Sequence, residues 1–211
     1  MGYRVIDLNE HNCWVNFKAL EQDAVILRVG YRGFGGKGRI MNDTRFMYFI
    51  EECKRYNIPV GLYFESQATS VKEAKEEARF VLKHIKDKYL INLPIYISIR
   101  YPEYSKGYMG RLYNAQISRE KQTRIVKAFC DTIIDKGYQA GVFADYDFFK
   151  KKMNVSELAN YSLWVSYYSV NGVPPLAGVN FDMWQFTDDA EVKGVIGMVN
   201  ADCLFNEEIM K

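Results

Sequence analysis

Short runs of apolar, β-branched and aromatic residues alternate with longer stretches of helical period along the whole chain. The runs at 4–8, 24–29, 60–64, 95–99, 140–144, 163–167, 181–185 and 198–201 read as strands. Between them, 44–56 opens on the cap signal Asn42-Asp43-Thr44, and 71–86 sets apolar residues at helical spacing against a charged face. The stretch 118–136 begins Ser118-Arg119-Glu120 and stops before Gly137, as a capped helix does. Strands alternating with helices predict a parallel sheet covered on its outside, and eight strands suit closure into a barrel. After Phe148 the helical signal fades. The last strands are therefore expected to be joined by short links, some of them antiparallel. The fold class is α/β: an irregular, TIM-barrel-like barrel of about eight strands, read as one domain over 1–211.

Composition supports one large core. The 211 residues are 48% hydrophobic and 15% aromatic, enough apolar surface for a single α/β domain. Lys and Arg number 28 against 26 Asp and Glu, so no strong field exists to hold nucleic acid or a charged membrane surface. A neutral or mixed-charge partner is expected, and nothing in the pattern fixes an oligomeric state. The chain opens directly into Tyr3-Arg4-Val5-Ile6-Asp7, without the basic and apolar regions of a signal peptide, and no stretch is apolar enough to span a membrane. Cys13, Cys53, Cys130 and Cys203 are scattered, without metal or redox spacing, and read as buried free thiols. The glycine-rich basic segment 30–38 lacks a phosphate-binding pattern and reads as a loop at the barrel mouth. The segment 101–117, rich in Tyr and Gly, is a second mouth loop.

Several segments, taken in order, carry a resemblance. Val5-Ile6-Asp7-Leu8-Asn9, Cys13-Trp14-Val15-Asn16-Phe17, Val25-Ile26-Leu27-Arg28-Val29-Gly30-Tyr31, Pro59-Val60-Gly61-Leu62-Tyr63-Phe64, Phe181-Asp182-Met183-Trp184-Gln185-Phe186 and Gly194-Val195-Ile196-Gly197-Met198-Val199-Asn200 together resemble the lysozymes of glycoside hydrolase family 25. The resemblance implies a barrel that binds peptidoglycan, or another N-acetylhexosamine glycan. It implies cleavage of the β-1,4 bond between N-acetylmuramic acid and N-acetylglucosamine, with no metal or organic cofactor, outside the cell or at its wall. The family's site uses an aspartate on the first strand, an Asp-x-Glu pair on the fourth and an aspartate before a late Trp-Gln. Asp7 and Asp182 match the first and the last. On that match the two share one end of the barrel near Ser98, and carboxylates at opposite ends would refute the family.

The fourth strand departs from the pattern. It reads Pro94-Ile95-Tyr96-Ile97-Ser98-Ile99-Arg100-Tyr101, with Ser98 and Arg100 in place of the pair, and Asn200 stands where the closing segment often has Asp. Glycoside hydrolysis needs a proton donor for the leaving oxygen and a carboxylate to support the cationic transition state. A guanidinium supplies neither, and a serine hydroxyl carries no charge. Loss of the acid alone is worth ~10²–10⁴ in rate. Strand alternation turns Ser98 and Arg100 inward and Ile97 and Ile99 outward. Glu65 shares parity with Tyr63 and is a candidate relocated acid, or a partner for Arg100; Glu103 is a weaker candidate. Arg100 is expected to point into the pocket and pair with Asp7, Asp182 or Glu65, because an unpaired desolvated guanidinium is costly.

Tyr31, Tyr63, Tyr101, Tyr167, Tyr168 and Trp184 are candidate sugar-stacking residues, with core packing as the plainer role for Tyr63 and Trp184. His11 falls in a loop near Asp7, whereas His84 lies on a charged helix. Three functions stay open: a lysozyme-fold pseudoenzyme that binds wall glycan, a hydrolase using Asp7, Asp182 and a relocated acid such as Glu65, and a protein-binding scaffold.

Overall fold

The computed structural model describes residues 2–12, 14–85, 88–101, 110–176 and 179–210. The first half of the chain runs β1 (Tyr3–Leu8), β2 (Trp14–Val15), β3 (Ala24–Arg32), β4 (Ile40–Asn42), α1 (Phe46–Tyr56), β5 (Val60–Ser66), α2 (Val71–Ile85) and β6 (Ile95–Ile99). It continues through α3 (Gly110–Asn114), α4 (Arg119–Ile134), β7 (Ala140–Asp145), α5 (Tyr146–Lys152), β8 (Ser162–Ser166), β9 (Met183–Ala190), β10 (Val195–Ile196) and β11 (Val199–Leu204). All eight expected strands and all three expected helices form.

The strands close into a barrel in the order β1-β3-β5-β6-β7-β8-β9-β11 and back to β1. Pairing is parallel from β1 through β9, while β11 is antiparallel to both β9 and β1. The antiparallel closure arises because β9 and β11 are joined by a short link that only reverses direction, as the weak helical signal there implied. β4 adds a strand beside β3, and β2 with β10 forms a separate ribbon.

Alternation along each strand divides the core in two. Val5, Ile26, Tyr96, Trp164, Met183 and Leu204 point into the barrel and fill it, with Phe143 stacked on Trp164 at 3.9 Å between ring centres. Val25, Leu27, Ile97, Ile99 and Val142 face outward against the helices. Those helices are anchored by apolar stripes: Ala74, Ala78, Val81 and Ile85 on α2, and Ile125, Phe129 and Ile133 on α4. Ser118 caps α4 by accepting from the Lys121 amide, and Gly137 beyond its end takes φ +84.

Helix α5 lies where little helical signal was expected. It is one short turn pair started by Asp145, whose side chain accepts from the Phe148 amide. The capping sequence 42–44 behaves differently from expectation: Asp43 caps only the turn through the Arg45 amide and gives its other oxygen to Arg28. Cys53 and Cys130 are buried free thiols as expected, Cys203 is a partly exposed one, and Cys13 lies outside the described residues.

Candidate functional site

A cavity of about 750 Å³ opens at the end of the barrel where the parallel strands finish. Each of the eight barrel strands contributes to it. Asp7, Arg28, Glu65 and Ser98 come from β1, β3, β5 and β6; Phe143, Ser166, Gln185 and Asn200 come from β7, β8, β9 and β11. Apart from Phe143 these are polar residues at inward-facing positions near the mouth end of their strands, above the apolar filling.

Asp7 is 3% exposed. Its Oδ2 accepts from Gln185 Nε2 at 2.7 Å and its Oδ1 from Asn200 Nδ2 at 3.1 Å. Burial pushes its carboxyl up to about 6, against the opposing pull of those two amides and of Arg100 and Arg28. Gln185 is itself held, because its Oε1 accepts from Tyr168 Oη at 2.8 Å.

Arg28 sits at the centre of a buried ion cluster. It donates to Asp43 at 2.8 Å, to Glu65 at 3.0 Å and to Glu10 at 3.0 Å, and its guanidinium lies 5.1 Å from the Tyr31 ring centre. One cation among three carboxylates neutralises part of their charge and orients all of them. Arg100 supplies a second cation: its Nε and Nη2 donate to Glu65 Oε1 at 3.3 and 3.1 Å. The expected pairing of Arg100 with Glu65 therefore forms, and its side chain stays 60% exposed at the groove wall. Glu65 thus accepts guanidinium bonds on both oxygens. Ser98 is buried beneath Arg100 and lines the groove. Among the described residues no group of His, Cys, Asp and Glu is arranged to hold a metal ion.

Of the expected stacking residues, Tyr31, Tyr63, Tyr101 and Tyr168 line the groove, with His11 at its edge. Tyr63 doubles as core, edge-on to Trp164 at 6.2 Å. Two others are corrected. Trp184 points away from the barrel interior, donating Nε1 to the Tyr167 carbonyl and packing beside Phe186 and Phe205. Tyr167 lies outside the groove, in a shallower adjoining cavity. Glu103 lies outside the described residues.

Asp182 is the main correction. It precedes β9, one residue beyond Met183, which lies at the level of Leu204 and Tyr3, four residues along the strands from the level of Asp7. At ~3.3 Å per residue that is the opposite end of the barrel. Its carboxylate accepts from the Leu163 amide at 3.0 Å and from Asn206 Nδ2 at 2.8 Å, tying the barrel floor together. Parity explains the error. Asp182 and Trp184 alternate with Met183 and Gln185, and the latter pair faces inward.

Sequence reasoning missed Arg28, Glu10, Asp43 and Gln185 as site residues. Arg28 had a visible signal, the one charge within the apolar run 24–29. It also missed Asp202, 2% exposed inside the barrel two residues below Asn200. Trp164 Nε1 donates to its Oδ1 at 2.9 Å, while Oδ2 has no hydrogen-bond partner among the described residues. Burial and the nearby Asp7 push its carboxyl well above the usual range.

Solved structures with this barrel include the modular autolysin LytC of Streptococcus pneumoniae, determined in complex with a synthetic peptidoglycan ligand. It shares 24% identity at a TM-score of 0.79, covering 95% of this chain and 46% of the autolysin. The chain thus spans about half of that protein's length. The spore cortex lytic enzyme SleM of Clostridium perfringens shares 21% identity at a TM-score of 0.81, covering 99% of this chain and 69% of the enzyme. A bacterial lysozyme from Streptomyces coelicolor shares 15% identity at a TM-score of 0.77, covering 98% of this chain and 93% of the lysozyme. No curated protein sequence matches the chain significantly. The model of the glycosyl hydrolases family 25 matches residues 6–195. Asp182 at the far end of the barrel was the outcome expected to refute the family; the match over nearly the whole chain instead confines the error to that one residue's alignment. The chain belongs to glycosyl hydrolases family 25.

Proposed function

We propose that this chain is a lysozyme-like barrel domain that binds bacterial peptidoglycan in its groove and hydrolyses it poorly, because Ser98 and Arg100 stand in place of the catalytic carboxylate pair. The observation that carries the reading is the Arg100–Glu65 ion pair on the groove wall. A guanidinium there offers no proton at neutral pH and repels the positive charge that develops at the anomeric carbon. The groove volume and its tyrosine walls suit a sugar ring, whose apolar faces stack on aromatic rings while its hydroxyls reach the polar ring of strand ends.

The alternative of a working hydrolase with a relocated acid finds less support. Glu65 is engaged by two guanidinium groups, and Asp182 is bonded into the barrel floor. Asp7 and Asp145 are groove carboxyls whose proton affinity burial raises, and Asp145 is already engaged by the Phe148 amide, so residual hydrolysis is assigned to Asp7 first. Co-sedimentation with insoluble peptidoglycan, with reducing ends assayed in the supernatant, tests the reading. The chain is expected in the pellet with few ends released. A chain that stays in solution contradicts binding.

A further inference from the structure

The charges around the groove are unevenly matched. On the side of β3, β5 and β6, the carboxylates of Glu10, Asp43 and Glu65 share the guanidinium groups of Arg28 and Arg100. Around the rest of the ring stand Asp7 of β1, Asp145 of β7 and Asp188 of β9. Asp7 accepts only from the neutral amides of Gln185 and Asn200, and Asp145 from the Phe148 backbone amide. The Asp188 side chain, on an exposed residue, makes no hydrogen bond or ion pair among the described residues. Three groove carboxylates are thus without a cation at ion-pair distance among the described residues.

Tyr168 stands in their midst. Its ring lines the groove and is 52% exposed, while its hydroxyl is fixed on Gln185. Burial, followed by the charges of Asp188 and Asp7, pushes its phenol up. Burial likewise raises the carboxyls of Asp7 and Asp145. A cation entering here relieves desolvated carboxylates that lack a counter-charge, and the tyrosine ring adds the attraction of its face. The chain as a whole carries a formal +2, so this attraction belongs to the groove and not to the surface at large.

We propose that the groove selects a glycan bearing free amino groups, a de-N-acetylated hexosamine, over its N-acetylated form, with the ammonium beside Tyr168 in the field of Asp7, Asp145 and Asp188. The inference rests on the glycan-binding reading of the groove and adds which sugar it prefers. An ammonium brings a charge and three donors to this acidic, aromatic wall, whereas an acetamido group brings no charge and a single N–H. The ring stacking that serves a neutral sugar remains available to both.

Titration calorimetry with glucosamine and N-acetylglucosamine oligomers of equal length, in mildly acidic buffer at low and high salt, tests this. The unaltered chain is expected to bind the amino oligomer about tenfold more tightly at low salt, the scale of one partly desolvated cation contact. That ratio should shrink severalfold at high salt. The N-acetylated oligomer should displace the amino oligomer, as two ligands of one groove do. Asp188→Asn should lower the ratio and Asp188→Lys should erase it. Equal or weaker binding of the amino oligomer by the unaltered chain, or a ratio untouched in Asp188→Lys, overturns the selection while leaving the groove intact. Failure of both oligomers to bind overturns the groove reading, and the selection with it.

Discussion

Arg100 reaches across from β6 to β5 and closes a fork on one oxygen of Glu65, whose other oxygen is taken by Arg28. A residue near the end of β5 and one just past the end of β6 thus turn the groove wall into a charge-matched surface. The carboxyl best placed to replace a lost acid is the one bound by both guanidinium groups.

The same network carries much of the local stability. Arg28→Met leaves Glu10, Asp43 and Glu65 without their shared cation, and breaking a buried pair on one side costs about 3–5 kcal/mol. The urea midpoint should fall accordingly, with the slope unchanged. Arg100→Met removes a more exposed partner and should lower the midpoint far less.

Asp7 makes stability depend on pH in a definite direction. Its carboxyl sits at about 6 in the fold, above an unfolded value of ~3.9. The native state therefore holds more protons in that window, so stability falls as pH rises through it and levels off above about 6. Asp7→Asn should abolish that part of the slope, measured as unfolding free energy at half-unit steps.

Asp202 carries the same sign. Its raised carboxyl keeps a proton that the unfolded chain releases above ~3.9, so stability falls as pH rises until the folded group ionises. Asp202→Asn keeps the shape without the titration. Its stability advantage over the unaltered chain should widen from pH 5 to pH 7; a constant difference would show that Asp202 is already ionised in the fold.

Glycan binding should be insensitive to salt. The chain carries a formal net charge of only +2, and the groove cations are internally paired, so stacking and hydrogen bonds rather than long-range charge hold the ligand. Affinity for N-acetylglucosamine oligomers at 50 mM and 500 mM sodium chloride should agree within about twofold.

The strand pattern was legible because each barrel strand is a short apolar run, and the outer and inner faces separate at period two. Parity also brought Ser98, Arg100 and Glu65 to one groove. The same rule, applied to β9, would have shown that Asp182 cannot share a face with Gln185, and that Gln185 and Asn200 are the residues facing Asp7. Helix α5 was missed because seven residues are too few for a helical period to stand out. The Arg28 cluster joins Glu10, Asp43 and Glu65 from three separate segments. Only the barrel's register brings them together, so local pattern carries no trace of it.

The central claim is that this barrel lost its chemistry through two substitutions and kept its groove. The most direct measurement is the rate of turbidity clearing of purified peptidoglycan by the unaltered chain beside the Ser98→Asp/Arg100→Glu double variant, at equal folded concentration. The account predicts clearing by the double variant at least ~10²-fold faster than by the unaltered chain. Rapid clearing by the unaltered chain, with no gain in the double variant, would contradict it.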